Sequence, residues 1–358
     1  MKIALITDTH FGARNDSAAF NDYFFKFYDE VFFPYLRDHE IKTLVHLGDI
    51  VDRRKFINYS TLRDFREKFV YRLGKEGIDT HVIIGNHDTY YKNTNEINSM
   101  TELFTSFDGH HEPWVYATPK EVDFDGLKIL MIPWINDSTR AQTYDLLENT
   151  DAQIIMGHLE IVGFEMHKGF RNEHGIDASV FSKFDMVMSG HFHHKSDNGT
   201  VYYLGNPYEI TWTDYQDPRG FHIFDTDTRQ LDYIRNPFRM FHKIFYDDEG
   251  KTFEQVTDQD FSFYENTCVK VVVNNKTNPY WFDIMVDKLY KSNPYNVSIV
   301  EDFTETTIIE DDDLVDQAED TMTILSKYIE GMELNGDKSN LKDLLDELYR
   351  EAVTMDVE

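Results

Sequence analysis

One pattern recurs along the first two hundred or so residues and constrains the fold more than anything else in the chain. A short apolar run of strand composition stops abruptly on side chains able to bind metal or move protons. "KIALIT" runs into Asp8-Thr9-His10, "TLVHLG" into Asp49 and Asp52, and "HVIIG" into Asn86-His87-Asp88. "AQIIMG" leads into His158, and "DMVMSG" into His191 and His193. Continuous Val/Ile/Leu runs bounded by glycine have the composition of strands buried on both faces. Between them lie stretches with helical spacing, among them "SAAFNDYFFKFYDEVFFPYLRD" and "TLRDFREKFVYRL". The alternation predicts a layered α/β core, in which loops at the carboxyl ends of the strands line the ligand crevice. Every one of the polar clusters falls at that end, so the fold can bring them together. One cluster alone would mean little, because Asn and Asp after a glycine also close strands as ordinary turns.

The donor types select the ligand. Asp8, His10, Asp49, Asn86, His158, His191 and His193 supply carboxylate, amide and imidazole groups and no thiolate. Such a set suits Mn2+, Fe2+ or Zn2+ and argues against a structural zinc site. It is too large for one ion and suits two that share a bridging carboxylate. Two ions about 3.5–4 Å apart clamp the attacking and leaving oxygens of a phosphoryl displacement and acidify a bound water.

In this order, D-x-H, G-D-x-x-D, G-N-H-D, G-H and G-H-x-H resemble the calcineurin-like metallophosphoesterase superfamily, over residues 8–193. The resemblance implies a two-layered β-sheet sandwich flanked by helices. It implies that Asp8, His10, Asp49 and His193 hold one metal, and Asp49, Asn86, His158 and His191 the other, with Asp49 bridging. His87 would face the substrate and protonate or steady the leaving oxygen. "GHLEIVGFEMHKGFRNEHG", "SGHFHH" and "YYLGNPYEITWTDYQDPRGFHIFD" resemble more narrowly the SbcD-type (Mre-eleven-like) nuclease subunit of double-strand-break repair. The nearest resemblance is to the recombination nucleases of T-even-like phages. It implies a nuclease, exonucleolytic and endonucleolytic, that uses two Mn2+ (or Mg2+ or other divalent ions). Such a subunit processes double-stranded DNA ends in repair and recombination beside an SbcC-type SMC-like ATPase.

One position departs from part of that family. Archaeal and eukaryotic members tend to carry His three residues after the bridging Asp, whereas Asp52 stands here, as in bacterial and phage members. "GDIVDRR" equally resembles the "GDxVDRG" of Ser/Thr phosphatases, which leaves a soluble binuclear-metal phosphomonoesterase or protein phosphatase as the alternative. The Asp52 carboxylate is expected on the far ring nitrogen of His87, fixing its tautomer and aiming the ring. Alternatively, Asp52 caps a helix beginning near Arg53.

Residues 1–234 read as the nuclease domain. "MFHKIFYDD", "TCVKVVVNN" and "NVSIVED" read as strands around a helix at "YWFDIMVDKLY", a small α+β domain over residues 235–302. The resemblance makes it a cap that steers DNA; simple packing is the other possibility. Residues 303–336 form an acidic linker and a first helix, and residues 337–358 a C-terminal helix striped by Leu341, Leu344, Leu345 and Leu348. So short a helical pair must bury its stripe on something else, either its own globular domain or a partner helix. The resemblance places an ATPase-docking helix pair here. Segments 56–73 and 97–107 flank the G-D and G-N-H loops, where family members build a two-fold interface, so a homodimer is expected.

Composition narrows the classes. A formal charge of −30 argues against a simple polyanion-binding surface. No apolar run approaches the ~20 residues that span a bilayer, and the N-terminal run is too short for a signal peptide. One cysteine, Cys268, excludes an internal disulfide framework and fits a reducing compartment, the cytoplasm (the host's, for a phage protein). His46 and His81 read as core histidines, and His110 and His111 as a surface loop. His167 and His174 lie in a Gly-rich insert, as loop or as substrate gate. Trp114, Trp134, Trp212 and Trp281 read as core.

Overall fold

In the computed structural model, which describes residues 1–104, 113–167 and 170–301, the first strand explains why its apolar run is unbroken. β1 (Lys2–Ile6) sends Ala4 and Ile6 into one buried cluster and Ile3 and Leu5 into another. A strand covered on both faces has no polar face to alternate with. The following strands are β2 (Thr43–His46), β3 (Asp79–Ile83), β4 (Trp114–Tyr116), β5 (Lys120–Phe124), β6 (Leu127–Ile132) and β7 (Ile154–His158). Next come the hairpin β8 (Glu165–His167) and β9 (Phe170–Arg171), then β10 (Met186–Gly190), β11 (Ser196–Asp197), β12 (Val201–Tyr203), β13 (Gly220–Asp225) and β14 (Leu231–Arg235).

Two six-stranded sheets result, ordered β14-β13-β1-β2-β3-β4 and β11-β12-β10-β7-β6-β5. They face each other across Ile3, Leu5, Val45, Leu47 and Ile83 on one side and Ile129, Met131, Ile154, Met156 and Met188 on the other. The outer face of the first sheet is sealed by aromatic helices carrying Phe20, Phe24, Phe27, Tyr28, Phe32, Phe65 and Phe69. Leu147, Phe181 and Phe184 help cover the second. The architecture is a two-layered sheet sandwich flanked by helices.

The long helical stretch predicted over residues 17–38 forms as Ala18–Phe27, a π turn at Tyr28–Phe32 and Phe33–Asp38. Pro34 has no N–H to give the ladder, and the widened turn falls just before it. The second stretch runs Tyr59–Asp64, Phe65–Val70 and Tyr71–Lys75. Its N-cap is Asn58, whose side chain accepts the Ser60 N–H at 2.9 Å. Asp52 therefore caps no helix, because the helix starts well beyond Arg53.

What positions the site is strand direction. β1, β2 and β3 run parallel in one sheet, and β7 and β10 in the other. Their carboxyl ends carry the polar clusters.

Beyond β14, a three-stranded parallel sheet comprises β15 (Phe241–Asp247), β16 (Cys268–Asn275) and β17 (Asn296–Val300). The helix Pro279–Lys291 crosses from β16 to β17 and buries Phe282, Met285 and Leu289 against Val269, Val271 and Val273. Each such side chain contributes roughly 1.5–3 kcal/mol. Phe241 and Cys268 join the aromatic core of the first sheet, and the buried Glu209 carboxylate accepts the Met240 and Phe241 N–H groups at 2.8 and 2.9 Å. Among the described residues, no helix is long and apolar enough to cross a membrane. The linker and helix at 303–336, the helix at 337–358 with Leu341, Leu344, Leu345 and Leu348, the end of segment 97–107, and His110 and His111 lie outside the described residues.

Candidate metal centre

Backbone bonds first zip the loops together. Asp8 N–H donates to the Gly48 carbonyl at 3.0 Å, His10 N–H to Asp49 at 3.1 Å and Phe11 N–H to Ile50 at 2.8 Å. Asp88, wholly buried, ties the second loop to the third: its carboxylate accepts N–H groups from Ile50 (2.9 Å), Val51 (3.2 Å) and Gly85 (2.9 Å). His191 N–H donates to both Asp8 oxygens at 3.1 Å, joining the two sheets. Close approach explains two of the glycines that precede the clusters. A Cβ on Gly48 would stand 2.4 Å from His158 Nδ1, and one on Gly85 would stand 2.2 Å from Asp49 Oδ1.

Three overlapping groups of donors follow, each with its ligand atoms within 4.8 Å of one another: Asp8, His10 and His193; His10, Asp49 and His87; Asp49, His158 and His191. Asn86 Oδ1 adds itself to the last, 2.8 Å from His158 Nε2 and 3.1 Å from His191 Nδ1. Asp49 Oδ2 lies between the outer groups, 3.9 Å from His10 Nε2 and 3.4 Å from His158 Nε2. The backbone is strained around these donors. Asp8, His10, Asp49 and His191 have φ of 51°, 42°, 52° and 90°, a region that costs a non-glycine residue on the order of 1–3 kcal/mol and persists where surroundings over-determine it.

The donor set fits divalent cations. His10 Nε2 and His193 Nε2 stand 3.1 Å apart, and two imidazole lone pairs at that distance need a proton or a cation between them. Burial pushes the Asp8 carboxyl up. Burial also opposes charge on Asp49, but His158 and His87 outweigh it and hold that carboxyl well below its usual value. On His10, burial is outweighed by Asp52 and Asp49, which raise its pKa to about 9. On His158, burial is outweighed by Asp49, and the pKa rises to about 10. Burial and the neighbouring His158 lower His191 to about 4, and desolvation beside His10 holds His193 well below normal. Positive charge is thus drawn to the two imidazoles flanking Asp49, where a metal would displace protons.

His87 sits at the rim of this cluster. Its N–H donates to Asp49 Oδ1 at 2.8 Å, and its ring meets that of His10 edge-on at 4.9 Å. The expected carboxylate partner is corrected by the structure: His87 Nδ1 donates to the main-chain carbonyl of Asp52 at 2.6 Å. The Asp52 carboxylate instead lies 3.4 Å from His10 Nδ1. The cause is local, because Asp52 N–H is bonded to the Phe11 carbonyl at 3.1 Å, which sets its side chain beside the His10 loop. A carbonyl only accepts, so Nδ1 keeps the proton and Nε2 is the atom free to exchange one.

His46 is a buried histidine, 3.0 Å from Thr9 Oγ1 and pushed down to about 3 by burial. Trp134 packs against His191 and His158, with ring centroids 5.0 and 6.1 Å away, and so walls the site. Trp114 departs from the core reading: it lies on β4, the sheet's edge strand, and is 62% exposed. His174 is exposed. Reasoning from sequence assigned nothing to Asp88, nor to Tyr208, whose hydroxyl donates to the Thr9 carbonyl at 2.6 Å, nor to Arg219. Asp88 carried a signal, a third polar residue on one strand end; the other two carried none.

Comparison with known proteins agrees with this geometry. Residues 1–195 match the model of the calcineurin-like phosphoesterase family. The chain is 31% identical over 355 residues to exonuclease subunit 1 of Enterobacteria phage T4, covering 98% of this chain and 99% of that one. It is 21% identical over 150 residues to the SbcD subunit of the SbcCD nuclease of Staphylococcus saprophyticus, 38% of this chain and 39% of that one. The corresponding protein of Staphylococcus epidermidis is 27% identical over 92 residues, 24% and 25% of the two chains. The family match spans every strand end that carries a candidate ligand, and the chain therefore belongs to the calcineurin-like phosphoesterases, metal-dependent enzymes that cleave phosphate esters.

Proposed function

We propose that this chain is the nuclease subunit of a DNA-end-processing complex, cleaving phosphodiesters with two Mn2+ ions beside an SbcC-type SMC-like ATPase. Near-full-length similarity to a phage exonuclease subunit carries the reading. In it, Asp8, His10, Asp49 and His193 would hold one ion and Asp49, Asn86, His158 and His191 the other. Bound there, the ions would acidify a water and offset the phosphodiester charge, the positive charge that a chain of −30 lacks. His87 gives a proton from Nε2 to the leaving oxygen, its Nδ1–H anchored by the Asp52 carbonyl. The Asp52 carboxylate, from 3.4 Å, aims His10.

Residues 235–302 cap the site and steer DNA, and the Leu341, Leu344, Leu345 and Leu348 stripe docks the ATPase. Homodimerisation through the helical face near residues 56–73 is supported by Phe56 and Tyr59, which are 65% and 88% exposed. The complex acts in the cytoplasm. Incubation of the pure protein with Mn2+ and either linear duplex DNA or p-nitrophenyl phosphate tests the reading. Release of nucleotides from DNA is expected; turnover of the small ester with intact DNA would make the chain a phosphatase.

A further inference from the structure

Outside the donor cluster, Arg219 is a buried charge, 3% exposed between β12 and β13. One terminal nitrogen of its guanidinium donates to the main-chain carbonyl of His193 and to Asn206 Oδ1. The other donates to Asp214 Oδ1 at 2.6 Å and lies 2.9 Å from Asp217 Oδ2. Asp214 is fully buried, and its second oxygen accepts the Ile210 and Thr211 N–H groups at 2.7 and 3.0 Å. Asp217 Oδ2 also takes His194 Nδ1 at 2.8 Å. The Arg219 carbonyl accepts Asn236 N–H at 2.7 Å, so the arginine is held from both ends.

Burying one cation with two carboxylates is a poor way to gain stability, since apolar replacements of such groups are often neutral or better. A planar fork fixed on four acceptors does, however, define a position well. The position it defines is that of the His193 main chain, whose imidazole Nε2 stands 3.1 Å from that of His10. The other half of the cluster is held by different bonds: His158 Nδ1 donates to the Leu47 carbonyl at 2.7 Å and Nε2 meets Asn86 Oδ1 at 2.8 Å.

We propose that Arg219 is a positioning residue for one ion only, setting the Asp8–His10–His193 half of the centre through the His193 carbonyl while leaving the Asp49–Asn86–His158–His191 half to itself. The inference rests on the two-ion reading above. Its rival is an arginine that merely neutralises Asp214 and Asp217 and closes the loop.

The test is Arg219→Lys in the full chain, which keeps the charge but cannot span four acceptors with one ammonium. Mn2+ bound at equilibrium is counted across a metal titration, and electron paramagnetic resonance separates a coupled Mn2+ pair from a lone ion. Wild type is expected to hold a coupled pair. R219K is expected to hold one uncoupled ion over the same range, the second weakened on the order of 10–100-fold, as for lost outer partners of metal ligands. Asp217→Asn, which spares the bond to His193, should keep the pair. Asn206→Ala, which leaves the buried ions intact, should weaken the same single ion several-fold and serves if R219K does not fold. Unchanged affinity for both ions in R219K and N206A, or equal weakening of both ions, overturns the assignment. A wild-type protein that holds one ion overturns the two-ion reading itself, and selectivity with it.

Discussion

Asp52→Asn separates two accounts of the same residue. The carboxylate lies 3.4 Å from His10 Nδ1, whereas His87 is held by the Asp52 main-chain carbonyl, which the substitution leaves in place. The loss should therefore appear as metal affinity. Asn at that position still offers an oxygen but no charge, and loss of an outer carboxylate on a metal-ligating His typically costs 10–100-fold in affinity, about 1.4–2.7 kcal/mol. Mn2+ titration calorimetry on the metal-free protein should show one of two binding steps weakened by that amount. With Mn2+ raised to saturation, turnover on duplex DNA should return to within a few-fold of wild type. In a His87→Ala background Asp52→Asn should still weaken Mn2+ binding on that order, because the carboxylate acts on His10 and not on the His87 ring. Intact metal affinity with lowered turnover, and a double mutant no worse than His87→Ala alone, would refute this and restore a carboxylate pair on His87.

Mn2+ affinity should rise with pH toward about 9, because protonated His10 and His158, with pKa values near 9 and 10, compete with the ion; calorimetry in buffers of different ionisation enthalpy measures the protons released. The sign for stability is opposite. Both pKa values are raised on folding, so their contribution is full below about 6.5, the free imidazole value, and is lost as pH rises through 9 to 10; melts of metal-free protein should show that decline, and saturating Mn2+ should remove it. Gly85→Ala drives a Cβ to 2.2 Å from Asp49 Oδ1, so metal binding should fall by at least tenfold, measured by dialysis, with far-ultraviolet circular dichroism unchanged. Deleting residues from 338 onward should preserve folding and metal binding but abolish capture of the SbcC-type subunit in a pull-down.

Much of the site was legible in the sequence. A strand buried on both faces must be apolar throughout, so the residue at which polarity begins marks its end, and parallel strands in a layered fold deliver those ends to one edge. That logic needs only local sequence, and it brought Asp8, His10, Asp49, Asn86, His158, His191 and His193 to one place. The glycines before the clusters were equally visible, though their reason, the 2.2–2.4 Å that a Cβ would leave, was not. Which group touches which was decided by the tertiary structure alone. Asp52 lies close in sequence to the donor Asp49, yet the bond from its N–H to the Phe11 carbonyl turned its carboxylate to His10 and its carbonyl to His87. Arg219 sits far along the chain from the His193 carbonyl that it holds, and no periodicity encodes such a pairing. Hydrogen bonds have a reach of about 3 Å and a direction, whereas a sequence pattern specifies only which side of an element a residue faces.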